Sequence, residues 1–425
     1  MYGELRIDWE EDGETKSLSL GQLATKNSDP DREIRRRACE GMVGAWQSRA
    51  DLCAMELNSM TGFRLALIKA RGWEDALKEP LKLARLKRDT LEAMWGVVAR
   101  ESHKLKPYIE AKKKLLKIDK FRWYDQLAPC GKSERVYSFD EAGEFIIKHD
   151  AAFSTDMADF IKHALDNRWV EGEDRPGKRG GGYCTRFGPF KQGRIFMTYA
   201  NSYDSMMTLA HELGHLYHGY VLKDREQFAQ HYPMTLAETA STFNELLVTD
   251  AALAEATDPQ EKLMLLDQKL QQPFGMFCDL RSRFLFEKAF TAERVNGSMD
   301  KERLNELMIQ AQKEAFGDML DESGYHPLFW ASKLHFHMSE LGFYNFPYTF
   351  GFLFAGGVYD RSRKEGSAFA NKYRDMLADT SVMTTEEVAK KHLDVDLTDE
   401  SFWSDAVNRS LADVDAFVKL ASELS

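Results

Sequence analysis

His211-Glu212-Leu213-Gly214-His215 is the most informative stretch of this chain. Residues four apart lie one above the other on a helical face, so both imidazoles can reach a single ion. Glu212 then projects close enough to polarise a water held there. The flanking residues predict the helix that this requires. Asn201, Ser202 and Asp204 offer N-capping side chains just before it, and no proline or interior glycine interrupts it before Gly214. Met206, Leu209, Ala210, Leu213, Leu216, Tyr217 and Tyr220 give a near-helical apolar spacing. Two imidazoles and a carboxylate are costly to bury in such an apolar helix unless something pairs with them, and a divalent metal is the most economical partner. The alternative is a chance match on a surface helix.

The pattern is HExxH, in which zinc peptidases use the glutamate as general base and not as a ligand. Subfamilies differ in the third ligand. The metzincin extension needs Gly and His three and six residues after the second histidine, but His218 and Val221 stand there. There is no second HExxH and no Cys-x-x-Cys. The candidate is Glu238, 23 residues after His215, in the helical-looking run Leu236-Ala237-Glu238-Thr239-Ala240-Ser241-Thr242-Phe243-Asn244-Glu245. Glu238, Thr242 and Glu245 stand at i, i+4 and i+7 and would share a face. A His/His/Glu set leaves the fourth tetrahedral position open, as a catalytic zinc requires and a structural zinc does not.

Four blocks in order, RPGKRGGGY (175–183), LAHELGHLYH (209–218), LAETASTFNE (236–245) and WASKLHFHMSELGFYNFPYTFG (330–351), are more specific than HExxH alone. With them most of the chain resembles the oligoendopeptidase F branch of the thimet-oligopeptidase-like zinc metallopeptidases. That resemblance implies that His211, His215 and Glu238 hold one zinc ion per chain and that Glu212 is the base. Glu245 matches a family glutamate beside the site, read as a partner orienting a ligand histidine; a solvated helix-face carboxylate is the alternative. The family places tyrosines of the last block over the substrate. Tyr348 is the first candidate, and Tyr344 the second, for a hydroxyl donor to the charge that builds on the carbonyl oxygen. Packing as core aromatics is the other reading of both. His335 matches a family histidine that resembles a substrate-carbonyl contact; a core histidine is the alternative. His337 stands where relatives more often carry a tyrosine and receives no role. His218 is expected to pack beside the site.

Gly177-Lys178-Arg179-Gly180-Gly181-Gly182 looks superficially like a phosphate cradle but lacks the GxxxxGK[ST] order. Its glycines fit a tight turn or a close approach to a ligand. Residues 183–187 and 194–199 are rich in aromatic and β-favouring types and predict a short sheet. Its strand at 195–199 leads into the HExxH helix, and an exposed edge there would offer main-chain hydrogen bonds to a peptide.

Elsewhere, helix is predicted over about 31–72, 87–117, 139–169, 235–295, 338–379 and 398–424, with a capping box at Ser138 and Glu141. Only 11 prolines and 28 glycines punctuate 425 residues. At 43% hydrophobic the chain can bury a large core. With a formal net charge of −11, the run Lys112-Lys113-Lys114 with Lys117 and Lys120 reads as a solvated helix face and not as a nucleic-acid patch. Five cysteines, odd in number and widely spaced, and no N-terminal apolar signal point to reduced thiols in a cytoplasmic protein. Residues 341–359 are largely uncharged, but Asn345, Pro347, Thr349, three tyrosines and Gly356-Gly357 favour a buried helix lining the cleft over a membrane span.

The fold class expected is mainly α: a two-lobed helical zincin-type metallopeptidase with a small β-sheet beside the active-site helix and a deep substrate channel. Residues 1–200 would form an N-terminal helical lobe with the sheet, and residues 201–425 the zinc-binding catalytic lobe. The chain opens at MYGELRIDW, where relatives are already well along, so an upstream segment of that lobe is expected to be absent or otherwise provided. The function implied is zinc-dependent endopeptidase action on short unstructured peptides, with no nucleic-acid or membrane partner. A zinc carboxypeptidase on a similar scaffold, and a catalytically weak zinc-dependent peptide-binding protein, are the alternatives.

Overall fold

Side-chain caps set many of the helix starts in the computed structural model, which describes residues 2–11, 13–175, 178 and 181–425. Ser138 and Glu141 close the predicted capping box on Phe139–Phe153. Ser154, Asp258 and Asp300 accept first-turn N–H groups of Thr155–Asp166, Pro259–Phe274 and Lys301–Phe316. The long helical stretches are broken more often than the sequence suggested. Residues 31–72 become Arg32–Gln47 and Ala50–Ala70, and 87–117 become Arg88–Glu101 and Lys106–Leu115. Pro273 removes a backbone donor near the end of Pro259–Phe274, and a π-helical turn, Gly275–Asp279, joins it to Leu280–Arg294. Residues 338–345 form no helix or strand, and a helix runs from Phe346 to Glu365.

Two small sheets interrupt the helices. Arg6–Glu11 and Glu14–Ser19 pair as an antiparallel hairpin that the sequence did not announce. In the second sheet Gln192–Met197 lies in the middle, parallel to Val170–Glu171 and antiparallel to Gly182–Phe187. This corrects one expectation. The strand leading toward the HExxH helix is paired on both sides, with Ile195 and Met197 buried, and among the described residues the outer strands are Val170–Glu171 and Gly182–Phe187. Of the glycine run, Gly177, Arg179 and Gly180 lie outside the described residues, and Gly181 has a φ of +96°.

One apolar cluster draws Trp95, Ile146 and Ile161 together with Leu209, Phe243 and Phe354, so the core is continuous across position 200. A second gathers Leu57, Phe286, Leu304, Trp330 and Phe336. Lys112 does not belong to a solvated face. It is fully buried, its ammonium 2.9 Å from Asp267 Oδ1, which also accepts the Tyr108 hydroxyl at 2.7 Å. Only its run-mates Lys114, Lys117 and Lys120 are exposed. Among the described residues no helix is long and apolar enough to cross a membrane. Phe346–Glu365 instead buries Phe350, Leu353, Phe354 and Val358. No disulfide joins any of the five cysteines.

Candidate metal centre

Ser202 caps the helix Tyr203–Val221 by accepting the Ser205 N–H. Leu209, Ala210, Leu213, Leu216 and Tyr217 face the core, which leaves His211 and His215 only half-buried. Gly214, between the two histidines, is where the next helix crosses. A Cβ there would lie 2.5 Å from Ala240 O and 2.6 Å from Ser241 Cα, so only glycine permits this approach. Buried Asn244 fastens the crossing by donating to Ala210 O at 2.8 Å.

Glu238 is not on a continuous helix face with Thr242 and Glu245, as the spacing suggested. It sits between the short helix Met234–Ala237 and Thr239–Glu255, at φ −86° and ψ 5°, and its carbonyl accepts the Thr242 N–H. That bridge conformation recurs at active sites. Here the break turns the carboxylate back toward the histidines.

The donor atoms form a tight triangle. His211 Nε2 and His215 Nε2 are 3.1 Å apart, and Glu238 Oε2 is 3.4 Å from each. A tetrahedral ion with bonds of about 2.0–2.1 Å has ligand–ligand edges of about 3.3–3.4 Å, so the set fits zinc. The three side chains are 28%, 19% and 22% exposed, open enough for a substrate to reach. Outer partners orient them. Glu245 Oε1 engages His211 Nδ1, which leaves Nε2 facing the triangle, and Glu245 Oε2 accepts from Gln272 at 2.9 Å. Ser241 Oγ donates to Glu238 Oε2 at 2.8 Å. Burial disfavours a charged His211, but Glu245, then Glu238 and Glu212, outweigh it and raise its pKa to about 9. Burial likewise opposes a charged Glu238, yet His215, His211 and Ser241 pull its pKa down to about 2. The pocket thus favours positive charge where the donors converge.

Glu212 is buried beside this triangle, and its Oε2 has no hydrogen-bond partner. Burial raises its pKa, only partly countered by the two histidines. The edge strand passes close over it: a Cβ on Gly182 would lie 3.2 Å from Glu212 Oε1 and 3.0 Å from Thr208 Cγ2.

Helix Phe346–Glu365 packs on the third donor, since a Cβ on Gly351 would stand 3.0 Å from Glu238 Cβ. One turn earlier, Tyr348 stacks on His335 with ring centroids 5.8 Å apart, and Tyr344 lies 4.8 Å from His335 and 5.8 Å from Tyr348. Burial, then Tyr344 and the charge of Glu238, raise the Tyr348 pKa, so its hydroxyl stays a donor. Burial lowers that of His335, whose Nδ1 faces Asn345 Oδ1 at 3.1 Å. His218 lies outside the triangle. It is fully buried, stacks on Tyr232 at 4.1 Å and meets Thr380 Oγ1 at 2.8 Å, and burial lowers its pKa to about 3. His337 faces Trp330 O and Glu56. Sequence reasoning passed over Ser241, Asn244, Gln272 and Asn345. Ser241 stands three residues after Glu238, a spacing that could have flagged it; the others act across tertiary contacts that leave no local signal.

Two imidazoles from one helix meeting a carboxylate from the start of the next is the zincin arrangement, here on a helical scaffold. Residues 26–408 match Peptidase family M3, and the chain belongs to that family. It is 25% identical over 395 residues to oligopeptidase PepF of Bacillus subtilis, covering 92% of this chain and 58% of that protein. To the chromosomal oligoendopeptidase F of Lactococcus lactis subsp. cremoris it is 26% identical over 396 residues, covering 91% and 64%. The chain therefore spans less than two thirds of the length of these relatives. Its fold matches solved chains from Chlamydophila abortus (TM-score 0.83, 22% identity, 100% of this chain and 70% of that one) and oligoendopeptidase-F of Enterococcus faecium (0.75, 21%, 98% and 69%).

Proposed function

We propose that the chain is a zinc-dependent endopeptidase that hydrolyses internal bonds of short, unstructured peptides. The observation that carries this reading is the triangle of His211, His215 and Glu238 donors beside the unpartnered Glu212 carboxylate. His211 Nε2, His215 Nε2 and Glu238 Oε2 would hold the ion, with Glu245 and Ser241 keeping two of them in register. When bound, zinc supplies a Lewis acid that acidifies water and polarises a peptide carbonyl. Glu212 takes the proton of the attacking water and passes it to the leaving amine, two steps suited to a carboxylate whose proton affinity burial has raised. Tyr348, with Tyr344 against it, donates to the oxygen on which charge develops, and His335 contacts a substrate carbonyl. The substrate pairs through its main chain with the outer edge of Gly182–Phe187, which would give affinity without demanding a sequence. The names of the relatives, oligopeptidase and oligoendopeptidase, support short peptides as substrates. A deep channel between two lobes that excludes folded proteins, with the lobes meeting near residue 200, belongs to the same proposal. So does a cytoplasmic location, which five cysteines without a disulfide support.

The test is Glu212→Gln, which should retain zinc and lose about 10²–10⁴-fold in turnover; near-normal activity would remove Glu212 from the chemistry. Mass analysis of the products of one unstructured peptide should show internal cuts. Single residues released from its C-terminus would mark a carboxypeptidase, and a peptide held intact a binding protein.

A further inference from the structure

Residues 338–345 carry Tyr344 yet form no regular element, so their shape must be imposed from outside. Phe343 is the telling position. It is buried and has a φ of +54°, a left-handed conformation that a phenylalanine rarely adopts unaided. Its N–H donates to Glu287 Oε1 at 2.6 Å, and its ring lies 5.8 Å from that of Phe284. Arg64 holds the preceding stretch by donating to Leu341 O at 2.9 Å and to Met338 O. Gly342 makes room for this, since a Cβ there would lie 3.3 Å from Arg64 Nη1. Two residues past Phe343, Asn345 Oδ1 accepts from Arg283 at 3.3 Å and faces His335 Nδ1 at 3.1 Å. Arg283, Phe284 and Glu287 thus grip the tyrosine segment from one side of Leu280–Arg294. Glu287 is itself buried and its Oε2 has no partner, a costly placement for a carboxylate that serves only as packing.

We infer that Glu287 is a positioning residue: it fixes the left-handed turn at Phe343 that presents Tyr344 to Tyr348 and His335, while Arg283 fixes His335 through Asn345. This rests on the reading of those tyrosines and that histidine as groups that touch substrate. Burial raises the Glu287 pKa to about 7, only partly countered by the Phe343 N–H and Arg64, and its Oε1 accepts that N–H either as carboxylate or as neutral acid.

Peptide cleavage by the full chain with zinc loaded tests it. Glu287→Ala should keep the metal content and the circular dichroism spectrum of the unaltered protein. It should lower kcat about 10–100-fold with little change in KM, the size of effect that misplacing a reacting group produces. Glu287→Gln, whose amide oxygen still accepts the Phe343 N–H, should recover most of that loss. In a Tyr344→Phe/Tyr348→Phe background Glu287→Ala should cost less than about threefold, because groups acting through one another are not additive. A full additional loss in that background, or unaltered kcat in Glu287→Ala, would overturn the assignment of Glu287 alone. Unaltered kcat in the double tyrosine variant would overturn the tyrosine reading beneath it as well. Arg283→Lys is the milder second variant: its kcat loss should vanish in a His335→Ala background, and persistence there would count against the grip.

Discussion

Gly214→Ala is the sharpest perturbation of the metal centre that touches none of its donors. The added methyl would stand 2.5 Å from Ala240 O, whereas ordinary contact begins at 3.4 Å, so the helices must part by about 0.9 Å. Ala240 and Ser241 are backbone neighbours of Glu238, and neither rotamer change nor a flexible tip can absorb the clash. The edges joining Glu238 to the histidines, now 3.4 Å, would open by a comparable amount. Metal–ligand distances tolerate only about ±0.2 Å. Zinc affinity should therefore fall at least about tenfold. Overpacking costs about 1–3 kcal/mol, set against about 1 kcal/mol that alanine gains over glycine inside a helix, so stability should fall slightly or hold. The assay is competition for zinc against a chromophoric chelator, paired with urea unfolding of the metal-free protein. Zinc affinity within about threefold of the unaltered chain would show that the two helices do not meet at this residue, and the account of how Glu238 reaches the site would fail.

Four other expectations follow. Tyr348→Phe should bind zinc normally and lose about 10²-fold in kcat if its hydroxyl supports the oxyanion, as steady-state kinetics would register. The metal-free protein should lose stability as pH rises from about 6.5 through about 9, since the raised His211 pKa stabilises the fold only while the ring is charged. For the same reason, zinc added near pH 7.5 should release a proton, visible with an indicator dye, and Glu245→Gln should diminish that release. Asp267→Asn leaves the buried Lys112 ammonium without its counter-charge and should cost about 3–5 kcal/mol in urea unfolding.

What could be read from the chain was whatever a local spacing encodes. The helix through His211 and His215, the Ser138–Glu141 capping box and the candidacy of Glu238 and Glu245 all follow from residues a few positions apart. The mainly helical fold followed from sparse proline and long apolar periodicity. What escaped was decided by distant partners. Lys112 looked solvated because its neighbours are lysines, but Asp267 arrives from another helix to receive it. An outer edge of the sheet was assigned to the wrong strand because the residues at 170–171, too few to signal a strand, cover the other side of Gln192–Met197. The break at Glu238 and the close crossing at Gly214 are both features that no helical wheel records. Phe343 carries no sequence sign of its left-handed backbone, since that conformation is held by Glu287.

The π-helical turn Gly275–Asp279 couples the two sides of the centre through a single rod. Before it, Gln272 reaches the glutamate behind His211; after it, Arg283 and Glu287 reach the tyrosine segment. Each helical residue advances the chain by about 100° and 1.5 Å. Removing one residue from this turn would leave the upstream contact untouched while swinging both downstream side chains a quarter-circle off target. The phase between ion and tyrosines is thus stored in a five-residue overwide coil, a place where a deletion would uncouple chemistry from metal loading without altering any group that meets the peptide.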